Sequence, residues 1–274
     1  MRRVCLVVGV LALGGAFALR VRATTRGAPL LLTQEVSPLR VLTWNVGKIY
    51  LGKQVDSRAA DQDLARIAEV IRGSQARVVA LQELRDAPQL ERLLRELGAG
   101  WIGHMSDQEI NDRRVAVIAR DEPGVSFSEV VTSTGRAIVV ARLPCGARQM
   151  SFASVHLDAF SPHLRQTQAE ELIDWASRSP DRDVILAGDF NFDADVLAMH
   201  EPENTDLGVY HLLTAHFEDA ARNGRGTTIV DRRLDYQFFR GRLRPRSVQV
   251  LADKSTNLMD HLPVLVDFEL SPSL

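Results

Sequence analysis

The chain has 274 residues, 45% of them hydrophobic and 25% charged, with 33 Lys and Arg against 35 Asp and Glu for a formal net charge of −2. These fractions exclude a disordered tail, a collagen-like fibre, a coiled coil and a polytopic membrane protein, and the near-neutral balance excludes a general polyanion binder while leaving room for local phosphate recognition. Two cysteines, Cys5 and Cys145, are too few for a disulfide framework or a four-thiolate zinc site.

Residues 1–19 begin with Arg2 and Arg3, run apolar from Val4 to Leu19 and carry Ala16-Phe17-Ala18 as an A-x-A cleavage pattern, which predicts a secretory signal peptide. The alternative is an uncleaved N-terminal membrane anchor. The sixteen residues from Val4 to Leu19 are a little short of the ~20 needed to span, and Arg20, Arg22 and Arg26 put positive charge on the second flank too, which orients the segment poorly. Either way the protein is expected to be exported: periplasmic, secreted or membrane-anchored. Cleavage after Ala18 removes Cys5, two arginines and no acid, so 31 basic residues then face 35 acidic ones. Residues 20–38, with Pro29 and Pro38, read as a linker, and 39–270 as one domain, expected to be monomeric.

In chain order, residues 40–44 form a strand ending at Asn45. Leu64, Ile67, Ala68 and Ile71 lie at i, i+3, i+4, i+7 and predict an amphipathic helix over 57–72. Residues 78–81 are a buried strand ending at Glu83, and Leu90, Leu93, Leu94 and Leu97 repeat the helical stripe until Gly98 stops it. Strands follow at 115–119, 137–143 and 150–155, with Pro144-Cys145-Gly146 as a turn between two of them. Ser161-Pro162 caps a helix over 164–176, residues 184–187 are a strand, and weaker helical signal covers 194–199 and 207–214. The last strands are 234–239, 247–251 and 264–270. Strands and helices mixed without strict βαβ alternation predict an α+β fold of packed sheets with helices outside.

The polar residues that stand out sit where apolar strands end: Asn45, Glu83, His156, Asp189 and Asn191, with Asp235 at the head of a late strand and Asp260-His261 before Leu262-Pro263. A sheet that ends several strands at one edge gathers such side chains into a cleft. The carboxylates Glu83, Asp189 and Asp260 with the amides make an oxygen-rich donor set, suited to magnesium, manganese or calcium rather than zinc. Taken singly, each has an ordinary structural role open to it: a cap, a turn former, a satisfied core histidine.

Together, Thr43-Trp44-Asn45-Val46, Leu81-Gln82-Glu83, Val155-His156-Leu157, Gly188-Asp189-Phe190-Asn191, Arg233-Leu234-Asp235-Tyr236 and Asp260-His261-Leu262-Pro263 resemble, in order, the motif series of the endonuclease/exonuclease/phosphatase superfamily, which includes deoxyribonuclease I, abasic-site endonucleases, sphingomyelinases, inositol polyphosphate 5-phosphatases and deadenylases. The resemblance covers about residues 39–270. It implies a four-layer α/β sandwich, two packed mixed β-sheets flanked by helices, and metal-dependent phosphoester hydrolysis with Mg2+ or Mn2+. By that resemblance Glu83 binds the divalent ion with Asn45 and Asp260 nearby, Asp235 holds the tautomer of His261, Asn191 hydrogen-bonds the phosphate and His156 stabilises developing charge. Asp189 or His261 is the base. The chemistry stands beside the likeness: a divalent ion neutralises an anionic phosphoester, donors stabilise the charge of the transition state, and an imidazole needs a partner on its second nitrogen. Asp189 and Asn191, at i, i+2 on an extended chain, are expected to face one side with Phe190 in the core.

Two positions depart from the family pattern: Gly47 stands where abasic-site endonucleases carry an Asp, and Arg114 where members often carry a Gly. Arg113-Arg114 is either a phosphate contact or a solvated pair. Arg240, Arg242, Arg244 and Arg246 alternate, making either a face that steers a polyanion or an edge strand protected by charge. A nuclease or general phosphodiesterase acting on a phosphoester, with nucleic acid among the candidate substrates, is favoured. The alternatives are a phospholipid or phosphorylated-polyol hydrolase, sphingomyelinase-like or inositol-phosphatase-like, and a non-catalytic binding module.

Overall fold

The computed structural model describes residues 38–47, 61–107, 114–146, 148–194, 205–222, 224, 226–251 and 259–271. The expected leader, residues 20–37 of the linker, 57–60 of the first helix, Arg113 and 195–199 lie outside them. Among the described residues no helix is long and apolar enough to cross a membrane.

The elements run β1 (Leu39–Asn45), α1 (Leu64–Ser74), β2 (Val78–Leu84), α2 (Ala87–Leu97), β3 (Trp101–Met105), β4 (Arg114–Arg120), β5 (Ser126–Val131), β6 (Ala137–Cys145), β7 (Arg148–His156), α3 (Pro162–Arg178), β8 (Val184–Asp189), α4 (Thr205–Thr214), β9 (Glu218–Asp219), β10 (Asp235–Arg240), β11 (Leu243–Val250) and β12 (Val264–Leu270). The strands form two six-stranded mixed sheets, ordered β11-β12-β1-β2-β4-β3 and β5-β6-β7-β8-β10-β9.

Side-chain alternation decides what each sheet faces. Leu42, Trp44, Leu81 and Ile118 point outward under Ile67, Ile71, Leu90 and Leu93 of α1 and α2. Val155, Leu186, Tyr236 and Phe238 do the same on the second sheet under α3 and α4. Val41, Val78, Val117, Phe152, Ile185 and Phe239 meet between the sheets. The layers are helix, sheet, sheet, helix, as expected. Helix ends follow local chemistry: Asp86 accepts the Gln89 amide at 2.8 Å and Ser161 that of Leu164 at 3.3 Å, each with a proline in the first turn.

Three strands carry little sequence signal. β3 contains Gly103, where a Cβ would lie 2.7 Å from Ile118, so packing against β4 selects glycine over a strand former. β5 is an edge strand with exposed serines, and β9 is two residues long. β11 begins earlier than expected and runs through Pro245, with a register shift to Ser247, as an edge position permits. Cys145 is not in the turn but ends β6 opposite Arg148, and burial pushes its thiol pKa up, which leaves it inert.

Candidate active site

Four strands end together. β1 and β2 are parallel, as are β7 and β8, so their C-termini share one end of the sandwich. β12 and β10 run antiparallel to β1 and β8 and therefore start there. The inter-sheet faces become polar towards that end: Phe152, Ser154, His156 along β7; Ile185, Ala187, Asp189 along β8; and Phe239, Gln237, Asp235 along β10 read backwards. Register places His156 and Asp235 on either side of Asp189. β7 and β8 approach so closely that a Cβ on Gly188 would sit 1.9 Å from the Val155 oxygen. The preceding layer cross-links the sheets: Gln82 donates to Ser154 at 3.1 Å, and Gln237 to the Val264 carbonyl at 2.9 Å.

Asp189 is the hub. Its Oδ2 accepts from Asn45 Nδ2 at 3.0 Å and lies 3.6 Å from His156 Nε2 and 3.7 Å from His261 Nε2. All four residues are buried. Asp189 Oδ1 accepts the backbone amide of Asn191 at 2.9 Å. Asn191 is not on extended chain as expected: β8 ends at Asp189, and Asn191 has φ 55°, the left-handed turn that asparagine tolerates. Its Nδ2 donates to the Leu157 carbonyl at 3.0 Å, towards the end of β7. Phe190 is buried, as expected, among Tyr236 and Phe238.

His261 Nδ1 lies 2.8 Å from Asp235 Oδ2, the pairing expected. Burial would depress the imidazole, but the surrounding carboxylates of Asp235, Asp189 and Asp260, with the Asp235 hydrogen bond, outweigh it and push the pKa up to about 10. An imidazole between two carboxylates is a double donor. Thr227 completes the group and carried no sequence signal. Its hydroxyl donates to the same Asp235 oxygen at 2.7 Å and accepts the amides of Leu234 and Asp235, each at 3.0 Å; its carbonyl accepts the Leu262 amide at 2.7 Å. Thr227 thus ties the segments bearing Asp235 and His261 together. Arg233, also buried, pairs with Asp219 at 2.8 Å, donates its backbone amide to Asp193 Oδ2 at 3.0 Å, and stacks over Tyr236, fixing the approach to β10.

Glu83 reaches the site through a bulge. Strict alternation would turn it towards the helices, as Leu81 is turned. Instead Glu83 takes φ 63° and the β2–β4 register shifts between Gln82 and Leu84, so Leu84 faces the helix layer as Leu81 does. The bulge absorbs one residue and frees Glu83 from the pleat. Gln82 pairs across from Asn45, which puts Glu83 one residue beyond the end of β1. Asn45 Oδ1 accepts the Gly47 amide at 2.9 Å, so the departure at Gly47 supplies a turn. Asp260 is buried, and its carbonyl accepts Ile229 N at 3.0 Å.

The donors fit a hard divalent cation in kind: Glu83, Asp260 and Asn45 are buried and carry oxygen atoms of the type such an ion takes. Asp189, Asp235 and His261 also offer ligand atoms within 4.8 Å of one another, and Asp235 Oδ1 is buried without a hydrogen-bond partner. The other Asp235 oxygen, however, is already engaged by His261 and Thr227.

Of the first arginine pair, Arg114 is described and is engaged by the backbone. Arg114 donates to the carbonyls of Ser106 and Asp107 at 2.9 and 2.7 Å. The alternating series does not lie on one strand: Arg240 ends β10 and lies over Phe217, Arg242 in the following turn pairs with Asp183 at 2.6 Å, and Arg244 and Arg246 of the edge strand β11 lie 3.8 Å from Glu218 and 2.5 Å from Glu269.

A fold of two packed sheets with buried carboxylates, amides and imidazoles converging at one end defines a phosphoesterase-type sandwich. The model of the Endonuclease/Exonuclease/phosphatase family matches residues 42–257, and the chain belongs to that family, whose members are generally divalent-metal-dependent hydrolases of phosphoesters. No curated protein matches it. Among solved structures, an endonuclease/exonuclease/phosphatase from Bacteroides vulgatus superposes with TM-score 0.67 at 17% identity, covering 86% of this chain and all of the other. The human Nocturnin catalytic domain with bound sulfate gives 0.60 at 22%, covering 85% and 95%. A mannosyl-6-phosphatase of Bacteroides thetaiotaomicron gives 0.64 at 18%, covering 85% and 100%. At these identities the likeness is one of fold.

Proposed function

We propose that this chain is a phosphodiester hydrolase that uses Mg2+ or Mn2+ held by Glu83 with Asn45 and Asp260. When bound, the ion supplies positive charge against a non-bridging phosphate oxygen. The chain's own residues do the rest. Asp189, steadied by the Asn45 amide, orients the attacking water and takes its proton. The water oxygen bonds to phosphorus, one P–O ester bond breaks, and the departing alkoxide takes a proton from solvent while Asp189 releases the one it took. His156 and the His261 imidazolium donate to the added negative charge, Asn191 hydrogen-bonds the phosphate, and Asp235 holds His261 in its donor form.

The observation that carries this reading is the hub at Asp189, one carboxylate oxygen approached by an amide and two imidazoles. The test is turnover of bis-p-nitrophenyl phosphate with magnesium, with manganese and with EDTA. Wild type is expected to be active with metal and inert in EDTA, and Glu83→Ala inert throughout. Equal rates for wild type and Glu83→Ala in every condition would overturn the assignment. The leader belongs to the same reading: residues 1–19 direct export or tether the domain to a membrane, which the N-terminal sequence of the exported protein tests.

A further inference from the structure

The side chains assigned to the reaction come from two different sheets. Asn45 ends β1, Glu83 lies in β2 and Asp260-His261 lead into β12, all in the first sheet, whereas His156, Asp189 and Asp235 lie on β7, β8 and β10 of the second. Glu83 therefore keeps its place relative to Asp189 only as well as the two sheets keep theirs. A displacement of about 1 Å in such a constellation can cost about 100-fold in rate. Glu83 needs more than its strand to hold it. It takes φ 63°, a backbone region that residues with a Cβ seldom enter and that persists where the surroundings impose it. The register shift lies between Gln82 and Leu84. If the bulge closed, alternation would turn Glu83 into the helix layer, among Leu81, Leu90 and Leu93.

Gln82 pins the bulge from one side. It is fully buried between the sheets, and its Nε2 donates to Ser154 Oγ at 3.1 Å and to Thr43 Oγ1 at 3.4 Å. The Ser154 hydroxyl in turn donates to the Leu81 carbonyl at 3.1 Å. The side chain just before the bulge and the peptide just before that side chain are thus both bonded to one hydroxyl of β7. Ser154 stands two residues before His156 on the same face of its strand, and its register partner Ala187 stands two before Asp189. The contact lies one layer below the His156–Asp189 pair. An apolar side chain of the same length would fill this space without direction, whereas a buried donor and a buried hydroxyl fix both distance and angle.

We infer that Gln82 is a positioning residue: through Ser154 it locks the β2 bulge and sets where the Glu83 carboxylate stands relative to His156 and Asp189. The inference rests on the hydrolase reading above in one respect, that Glu83 holds the divalent ion.

Titration of Mn2+ into the full chain tests this, with unbound Mn2+ read from its electron paramagnetic resonance signal, so that no turnover is needed. Gln82→Met nearly keeps the volume and removes the donor; Ser154→Ala removes the acceptor and the bond to Leu81. Each is expected to raise the Mn2+ dissociation constant about tenfold. Because both act through one contact, the double variant is expected to bind within about twofold of the weaker-binding single variant. Ile185→Val trims the same inter-sheet core near the far end of β8. It is expected to lower the urea midpoint while leaving Mn2+ binding within about twofold. Unchanged Mn2+ binding in Gln82→Met, losses that multiply in the double variant, or a loss in Ile185→Val as large as that in Gln82→Met would overturn the inference. Wild type that binds no Mn2+ would overturn the metal reading and the inference with it. Wild type that binds Mn2+ but leaves bis-p-nitrophenyl phosphate intact would overturn the hydrolase reading alone, and the binding series would still decide the role of Gln82.

Discussion

Replacing Thr227 by Val isolates the support of the His261–Asp235 pair, because the two side chains are nearly isosteric and differ in the hydroxyl. That hydroxyl donates at 2.7 Å to Asp235 Oδ2 and accepts two backbone amides at 3.0 Å each, with Thr227 only 2% exposed. A hydrogen bond to a charged group contributes about 1.5–3 kcal/mol, and a buried donor left unpaired costs about 1–3 kcal/mol. Partial relaxation keeps the sum well below the arithmetic total, so Thr227→Val should destabilise the fold by about 3 kcal/mol. Asp235 retains His261 but loses the donor that orients its carboxylate, and loss of such a supporting contact lowers activity about 10–100-fold. Urea unfolding gives the first number. The second comes from turnover of bis-p-nitrophenyl phosphate, where kcat should fall with KM little changed. Thr227→Ser, which keeps the hydroxyl, should recover most of both. A Val variant with wild-type stability and turnover, or a Ser variant as impaired as the Val one, would refute the reasoning.

Asp235→Asn should keep the fold but lower the urea midpoint, because the buried His261 imidazolium loses its nearest carboxylate, and reduce kcat about 10–100-fold through a misdirected imidazole; normal turnover would remove Asp235 from its role. Gly188→Ala should destabilise by more than an ordinary glycine substitution, because the methyl would have to displace the Val155 carbonyl 1.9 Å away, and thermal unfolding reads this directly. For pH, the Arg142 hydrogen bond, opposed by burial and aided by Ser151, holds Asp181 below the usual carboxylate range. Its folded pKa is thus lower than its unfolded one. The stabilisation is present above the unfolded value and is lost as pH falls through the folded one. Asp181→Asn should therefore flatten the acid limb of the stability–pH curve, and an unchanged limb would contradict the pairing.

The fold was legible where periodicity and chemistry agreed. The leucine stripe of α2, the Ser161-Pro162 cap of α3 and the apolar runs of β1, β2 and β8 each coincide with an observed element. Strand ends were legible too, since Asn45, His156 and Asp189 interrupt apolar runs where the strands stop. What alternation misplaced was set by backbone features with no compositional trace. Glu83 needs a bulge to reach the cleft, and Asn191 turns rather than extends. Thr227 contributes through contacts to residues distant in sequence. β3 and β5 were missed because one is chosen for a close contact at Gly103 and the other for an exposed edge, neither of which leaves a two-residue hydrophobic rhythm.

The placement of the arginine series bears on substrate. The alternating arginines from Arg240 to Arg246 carry the sequence argument for a polyanion, yet Arg242, Arg244 and Arg246 each face an acid on their own domain. Paired charges of this kind project little field beyond a Debye length of ~10 Å, and the strand they protect is an edge. Meanwhile β10 carries Asp235 at its catalytic end and hands over to β11 only at the opposite end, so the stripe begins far from the Asp189 hub. A substrate engaged at the Asp189 hub would therefore lie away from the start of that stripe. The rate of attack on a polyanion should accordingly depend only weakly on Arg244→Ala and Arg246→Ala. Hydrolysis of plasmid DNA at rising salt checks this: a steep salt slope that the two substitutions flatten would restore the stripe as a substrate contact.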